Sequence, residues 1–234
     1  MVAVPPVREA RDRGVLKAEP MFSRYGTPAL EWTADGRTRR LEHRREFVEH
    51  LASAELPHKL TAHYDGVGDD PQRRLPAAAD NASGVAAILE AARVLSAQTL
   101  PINLSVAFLD AEEAGARGSA HHVPAVPPHT LVINLDGAVK LHEAASVEAG
   151  GPAHALLAAL DQAGRETGVP LRAGAMASDN RRYAAAGLGA IGIGMGMPGY
   201  QTPAETPDRV EAATLLAAAR LVTATVWQLA HADS

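Results

Sequence analysis

The chain has 234 residues, of which 47% are hydrophobic and 21% charged, the balance of an ordinary globular protein. Its formal net charge of −5 provides no basic face for nucleic acid or an anionic membrane, so neither is an expected partner. Cysteine is absent, which excludes disulfides and thiolate metal sites, and any metal ion would need His, Asp and Glu ligands.

The N-terminal region predicts little regular structure. Residues 1–20 mix Pro, Arg, Glu and Gly without periodicity, which is typical of a poorly ordered arm ahead of a single domain over residues 21–234. A signal peptide needs an apolar run that is missing here, and no later segment approaches a membrane span, so we expect a cytoplasmic protein. Asp35-Gly36 predicts a hairpin within residues 29–43, and the spacing over Glu42–Ala52 predicts a helix.

From Leu60 onward, short apolar runs alternate with amphipathic stretches. This pattern predicts an α/β fold of three layers, α/β/α, with a mostly parallel central sheet. The predicted strands are Lys59–His63, Ile102–Leu109, Leu131–Leu135 and Ala190–Met195. The predicted helices are Val85–Leu95, Ala153–Ala163 and Glu211–Ala230.

Side chains that can bind a metal ion stand at the ends of these predicted elements. His63-Tyr64-Asp65 ends the first strand, Asp80 precedes the first helix, Glu112-Glu113 follow the second strand and Asp136 ends the third. Singly, each has an ordinary structural explanation, such as a helix cap or a solvated turn. Ligand sites in open α/β sheets form at the carboxyl ends of strands, however, so these groups are expected to share one cleft. Close carboxylates oppose one another's ionisation, which favours a bound divalent cation.

The order and context of these groups resemble the co-catalytic zinc aminopeptidases of the bacterial leucyl aminopeptidase type, whose fold is shared by glutaminyl cyclases. The resemblance covers roughly Leu60 to the end of the chain and implies the phosphorylase/hydrolase-like architecture of zinc exopeptidases. Its most specific words are Asp-Asn-Ala-Ser-Gly and Glu-Glu-x-Gly. The matching segments are TAHYDGVG at Thr61–Gly68, ADNASGVAAILEAARVL at Ala79–Leu95, AFLDAEEAGARGSAHHV at Ala107–Val123, INLDGA at Ile133–Ala138, ASDNRRYAAAGLGAIGI at Ala177–Ile193 and GYQTPAETPDRV at Gly199–Val210.

The resemblance implies a set of zinc ligands. In that family two zinc ions share a bridging carboxylate, and Asp80 stands at its position. His63 and Asp136 match the other ligands of one ion, and Glu113 matches a ligand of the second. Paired metals of this kind polarise a substrate carbonyl and lower the pKa of bound water toward about 7.

It also implies three roles outside the ligand set. Glu112 matches the free carboxylate that takes a proton from the attacking water and passes it to the leaving amine. Asp65 matches the partner that orients His63 through its far ring nitrogen. Tyr200 matches a tyrosine that, in some members, donates a hydrogen bond to the developing oxyanion.

The chain departs from the family pattern at two positions. In the family phrase His-Thr-Pro-x-Asp-Thr the histidine completes the second metal site, but here Gln201 begins the phrase Gln-Thr-Pro-Ala-Glu-Thr. A glutamine carbonyl is a harder and weaker donor for zinc than imidazole, so the second ion is expected to bind weakly, to be a harder ion, or to be absent. Asn180 stands where the family usually has histidine, which suggests a changed substrate pocket or a changed support for the ligands.

Three functions remain open on this basis. The first is a zinc hydrolase, with one or two ions, that cleaves an amide next to a free amine in a small molecule or short peptide. The second is a mono-metal relative that performs a specialised biosynthetic amide hydrolysis or a glutaminyl-cyclase-like cyclisation. The third is a non-catalytic binding module on the same scaffold. The oligomeric state is not indicated by the sequence.

Overall fold

The structure is a computed structural model that describes residues 57–69 and 72–231, together with three strand segments nearer the N-terminus. Chain contacts separate two units, Met1–Glu55 and Leu56–Ser234. The predicted helix Glu42–Ala52, and the predicted arm apart from Leu16–Ala18, lie outside the described residues. A single domain over residues 21–234 stays a prediction.

The first unit contains a three-stranded antiparallel sheet. Its strands are β1 (Leu16–Ala18), β2 (Leu30–Ala34) and β3 (Arg37–Leu41), in the order β1-β2-β3. Strands β2 and β3 pair with Leu30 opposite Leu41 and Ala34 opposite Arg37. The hairpin predicted from Asp35-Gly36 is therefore confirmed.

The second unit is built on a six-stranded sheet in the order β5-β4-β6-β9-β7-β8. Strands β4, β5, β6 and β9 are parallel, while β7 runs antiparallel to β9 and parallel to β8. The bounds are β4 His58–His63, β5 Leu104–Leu109, β6 Leu131–Leu135, β7 Ala145–Gly150, β8 Leu171–Ala173 and β9 Gly189–Gly194. All four predicted strands are confirmed to within two residues at either end, whereas β7 and β8 were not predicted.

Five helices flank this sheet in the described residues. They are α1 (Ser83–Leu95), α2 (Arg117–His122), α3 (His154–Thr167), α4 (Asn180–Ala185) and α5 (Ala212–Ala230). Helix α5 packs against α1 and α3, whereas α4 packs against β6, β7, β9 and α2. The predicted three-layer α/β/α architecture with a mostly parallel sheet is therefore confirmed.

The two faces of the sheet bury different apolar clusters. Along β6, Leu131, Ile133 and Leu135 belong to the larger cluster, which includes residues of α1, α3 and α5. Val132, between them, belongs to a smaller cluster with Tyr183 of α4. Successive side chains of a strand point to opposite faces, so a fully buried strand such as β6 needs cover on both sides.

Helix α5 corrects one expectation about membrane-length segments. Among the described residues it is the one helix whose 19 residues and mean hydropathy of 1.3 would suffice to cross a membrane by length and composition. Its buried positions include Ala218, Leu221, Val222 and Val226, which lie in the larger apolar cluster. An apolar helix packed on two others in this way is typical of a protein core.

Candidate metal centre

Two neighbouring strands and one turn position the predicted ligands. His63 is the last residue of β4 and Asp136 directly follows β6, its pairing neighbour in the sheet. Asp80 lies in the irregular turn Ala78–Ala82 that leads into α1. The peptide bond between Asp80 and Asn81 is cis. Parallel strands end at one edge of the sheet, which explains how residues 73 positions apart meet.

The three side chains form a compact buried group. His63 Nε2 lies 3.1 Å from Asp80 Oδ1 and 3.5 Å from Asp136 Oδ1. One ligand atom from each residue lies within 4.8 Å of the others, and all three residues are buried. A tetrahedral zinc ion with bonds of about 2.0–2.2 Å separates its ligand atoms by about 3.3–3.6 Å, so the donor set fits zinc.

The orientation of these groups also fits a shared cation. His63 Nε2 and Asp136 Oδ1 are buried and make no well-aligned hydrogen bond, although they face each other closely. Burial alone would lower the pKa of His63, but the adjacent carboxylates of Asp136, Asp65 and Asp80 outweigh it and raise that pKa well above its usual range. Buried polar atoms are normally satisfied, so atoms that converge without pairing fit a shared cation as their partner.

Asp65 connects the histidine to the loop that carries the predicted base. Its Oδ1 lies 3.4 Å from His63 Nδ1, the ring nitrogen that faces away from the ligand group. Its two carboxylate oxygens also accept the backbone N–H groups of Glu112 and Glu113, each at 3.1 Å. Burial would raise the pKa of Asp65, but the His63 contact and these N–H groups lower it. The carboxylate therefore stays ionised and can orient the ring.

Glu112 lies beside the ligand group rather than within it. It follows Ala111, which has a left-handed φ of 58°, and its carbonyl accepts the N–H groups of Gly115 and Ala116 at 2.8 and 2.7 Å. Burial, with smaller contributions from neighbouring carboxylates such as Asp136, raises the pKa of Glu112 to about 7. A free carboxyl group with a pKa near neutrality is suited to general acid–base catalysis.

Glu113 and Gln201 meet at the other oxygen of Asp80. Gln201 Nε2 donates to Glu113 Oε2 at 3.0 Å and lies 3.4 Å from Asp80 Oδ2, while Asp80 Oδ1 faces His63. Asp80 thus lies between the two parts of the site, as expected of a bridging carboxylate. Burial and the nearby charge of Asp80 raise the pKa of Glu113 to about 8.

Comparison with protein families agrees with this geometry. Residues 51–226 match the model of Peptidase family M28. The chain belongs to this family. The resemblance inferred from the sequence is therefore confirmed, and the match includes every residue placed in the site above.

Solved structures show the same fold. The zinc aminopeptidase BSAP from Bacillus subtilis is 26% identical, with a TM-score of 0.65 over 73% of this chain and 45% of that one. LapB from Legionella pneumophila is 18% identical (TM-score 0.66; 94% of this chain, 62% of that one), and a glutaminyl cyclase from Bacteroides thetaiotaomicron is 21% identical (TM-score 0.60; 75% and 74%). The chain spans about half the length of BSAP. Among curated proteins, none matches it significantly.

Glu205, which the sequence analysis did not identify, connects two segments of this M28 site through hydrogen bonds. Glu205 is only 3% exposed, and its Oε1 accepts the backbone N–H groups of Ala79 and Asp80 at 3.1 and 2.8 Å. Its Oε2 accepts the backbone N–H of Gln201. The signal was present, since Glu205 stands at the acidic position of the family phrase that begins with the replaced histidine.

Asp179 is a second missed residue. It is fully buried, burial raises its pKa to about 6, and its charge contributes to the raised pKa of Glu112. The neighbouring Asn180 is also buried, and a Cβ added at Gly192 of β9 would lie 2.7 Å from Asn180 Cγ. Asn180 therefore packs against the sheet, and its proposed effect on the substrate pocket stays a prediction.

Tyr200 lies in the loop just before Gln201. Its backbone N–H donates to the Met197 carbonyl at 3.2 Å, and its side chain is 51% exposed. The phenol is thus accessible from solvent, and its role as an oxyanion donor stays a prediction.

Proposed function

We propose that this M28 chain is a metal-dependent hydrolase that cleaves a peptide bond next to a free amine. The observation that carries the proposal is the buried group of His63, Asp80 and Asp136 with the free carboxyl of Glu112 beside it. Two observations support zinc as the metal. The imidazole and carboxylate donors suit zinc, and BSAP, the 26% identical neighbour, is described as a zinc aminopeptidase. A short peptide or small amide is the proposed substrate, and the cytoplasm the proposed compartment.

The metal ion and the protein side chains would have different roles in the reaction. His63, Asp80 and Asp136 would hold the zinc ion, which polarises a substrate carbonyl and makes water more acidic when bound. Asp65 keeps the His63 ring in place through Nδ1 and fixes the backbone ahead of the base.

Glu112 carries the proton. With a pKa of about 7, its carboxylate takes a proton from the attacking water and returns that proton to the nitrogen of the leaving amine. Because the same group is left ionised afterwards, no net proton is lost by the protein in the cycle. A carboxylate bound to the cation would be a weaker base, so the position of Glu112 outside the ligand group matters.

The proposal is tested with aminoacyl anilides and short peptides. The zinc-loaded chain should release the N-terminal amino acid, and Glu112→Gln should reduce kcat by about 10²–10⁴-fold while the zinc content is retained. Glu143→Gln is the matched control, since Glu143 is an exposed carboxylate in the loop before β7. Full turnover by Glu112→Gln, or no turnover by a zinc-loaded wild type on any such substrate, would contradict the proposal.

A second candidate is favoured by Gln201. The amide at the position of a family ligand supports a mono-metal relative with specialised amide hydrolysis or cyclisation of N-terminal glutamine. The glutaminyl cyclase at 21% identity supports the shared fold alone. Incubation with a glutaminyl peptide distinguishes the reactions, because cyclisation releases ammonia and keeps the peptide bond. A chain that binds substrate without either reaction would be the non-catalytic module.

A further inference from the structure

The second half of the site is built around an amide instead of an imidazole. The Nε2 atom of Gln201 carries two hydrogens and faces two carboxylate oxygens, Glu113 Oε2 at 3.0 Å and Asp80 Oδ2 at 3.4 Å. A carboxyl group keeps at least one accepting oxygen in either protonation state, so the two facing oxygens can accept from the NH₂ end of the amide. In this orientation, the group that faces Asp80 and Glu113 is a donor of hydrogen bonds, and an amide NH₂ group does not ligate a cation.

Gln201 is held in this place by its own backbone. It has a left-handed φ of 55°, a conformation that a residue other than glycine keeps only where its surroundings impose it. The surroundings are the buried carboxylate of Glu205, which accepts the N–H of Gln201 with one oxygen and the N–H of Asp80 with the other. One buried group thus sets the distance between the amide and the bridging position.

The protein atoms in this second half of the site do not fit a second zinc ion. Without imidazole, the protein atoms left for that ion are carboxylate oxygens of Asp80 and Glu113. Asp80 Oδ2 and Glu113 Oε2 contact the Gln201 amide, and Glu113 Oε1 is buried without a hydrogen-bond partner in the described part of the chain. Zinc in proteins is usually held by three or four protein ligands, with nitrogen or sulfur among them. The first group, by contrast, retains its imidazole and two carboxylates within 4.8 Å.

We propose that the chain binds a single divalent ion, at His63, Asp80 and Asp136, and that the Gln201 amide occupies the place of the second. Its two N–H groups stabilise the facing carboxylates as a cation otherwise would. Glu113 then serves as a hydrogen-bond acceptor and not as a metal ligand. The inference rests on the proposed metal-dependent function and specifies its metal content.

The experiment counts metal ions bound by the whole chain. The protein is stripped with a chelator, reloaded at buffered free zinc, and measured by mass spectrometry of the metal and by titration calorimetry. Wild type should bind one zinc ion per chain, and Gln201→His should bind a second, with an affinity at least about 10-fold above any second binding in wild type. Gln98→His adds a histidine at an exposed position after α1 and should stay at one ion.

Each outcome decides the matter. Two zinc ions in wild type, or a second Mn²⁺ or Mg²⁺ ion that Glu113→Gln abolishes, would overturn the inference. The proposed function would survive if that protein still hydrolysed anilides. A single ion in both wild type and Gln201→His would refute the role assigned to the amide. No bound zinc in wild type would sink the inference and the proposed function together.

Discussion

In the metal-free protein, the free energy of unfolding should decrease as the pH rises. The ordinary pKa of Glu112 is 4.5, and burial raises it to about 7 in the folded chain. Between these values the folded state binds more protons than the unfolded state, so the free energy of unfolding decreases with increasing pH. The raised pKa values of His63 and Asp179 act in the same direction, since their folded forms also hold protons that the unfolded chain releases.

The size of the effect follows from the shift at Glu112. Each pKa unit corresponds to about 1.4 kcal/mol, and partial exposure of the carboxyl group screens it, so we expect a loss of about 1–2 kcal/mol from this group. For a chain of this length that amounts to a fall in Tm of about 2–8 °C between pH 5 and pH 8. Zinc should oppose the fall, because its ligands must be deprotonated and binding strengthens with pH.

Thermal denaturation followed by circular dichroism measures this directly. The chelator-treated wild type, Glu112→Gln and Glu143→Gln should be compared at pH 5 and pH 8, with and without added zinc. Glu112→Gln should show a smaller fall in Tm than wild type, because its amide does not ionise, while Glu143→Gln should match wild type. An equal fall in all three proteins would refute the conclusion that burial of Glu112 stores this free energy.

Three further substitutions test how the site is supported. Asp65→Asn should weaken zinc binding by about 10–100-fold in calorimetry, since an amide orients His63 less strongly; an unchanged affinity would exclude this role. Glu205→Gln should lower the free energy of unfolding by about 1–3 kcal/mol in urea titration, because one buried N–H loses its acceptor, and an unaltered midpoint would count against it. Gly84→Ala should lower the Tm, because the new Cβ would lie 2.7 Å from the Leu135 carbonyl oxygen. This clash should outweigh the helix propensity of alanine, which exceeds that of glycine by about 1 kcal/mol, and a higher Tm would show that the turn can relax.

The central strands could be predicted because each is a nearly continuous apolar run of the right length. Leu131–Leu135 is an example, and the structure places the strand on those residues. Strands β7 and β8 could not be found in this way. The sequence of β7, Ala-Ser-Val-Glu-Ala-Gly, has only two residues buried, and β8 is three residues long. Such strands are defined by pairing with a neighbour at the edge of the sheet, and pairing is not visible in local composition.

The sequence by itself determined which donor atoms are available for a metal site, because residue type decides which atoms can bind a cation or move a proton. The order of His63, Asp80, Glu112 and Asp136 predicted that these groups share one cleft. Only the tertiary structure decided how these groups combine. It brings Glu205 across 125 residues to Asp80, and it turns the Gln201 amide onto two carboxylates. Contacts between distant segments depend on the path of the backbone, which is set by packing of the whole sheet and its helices.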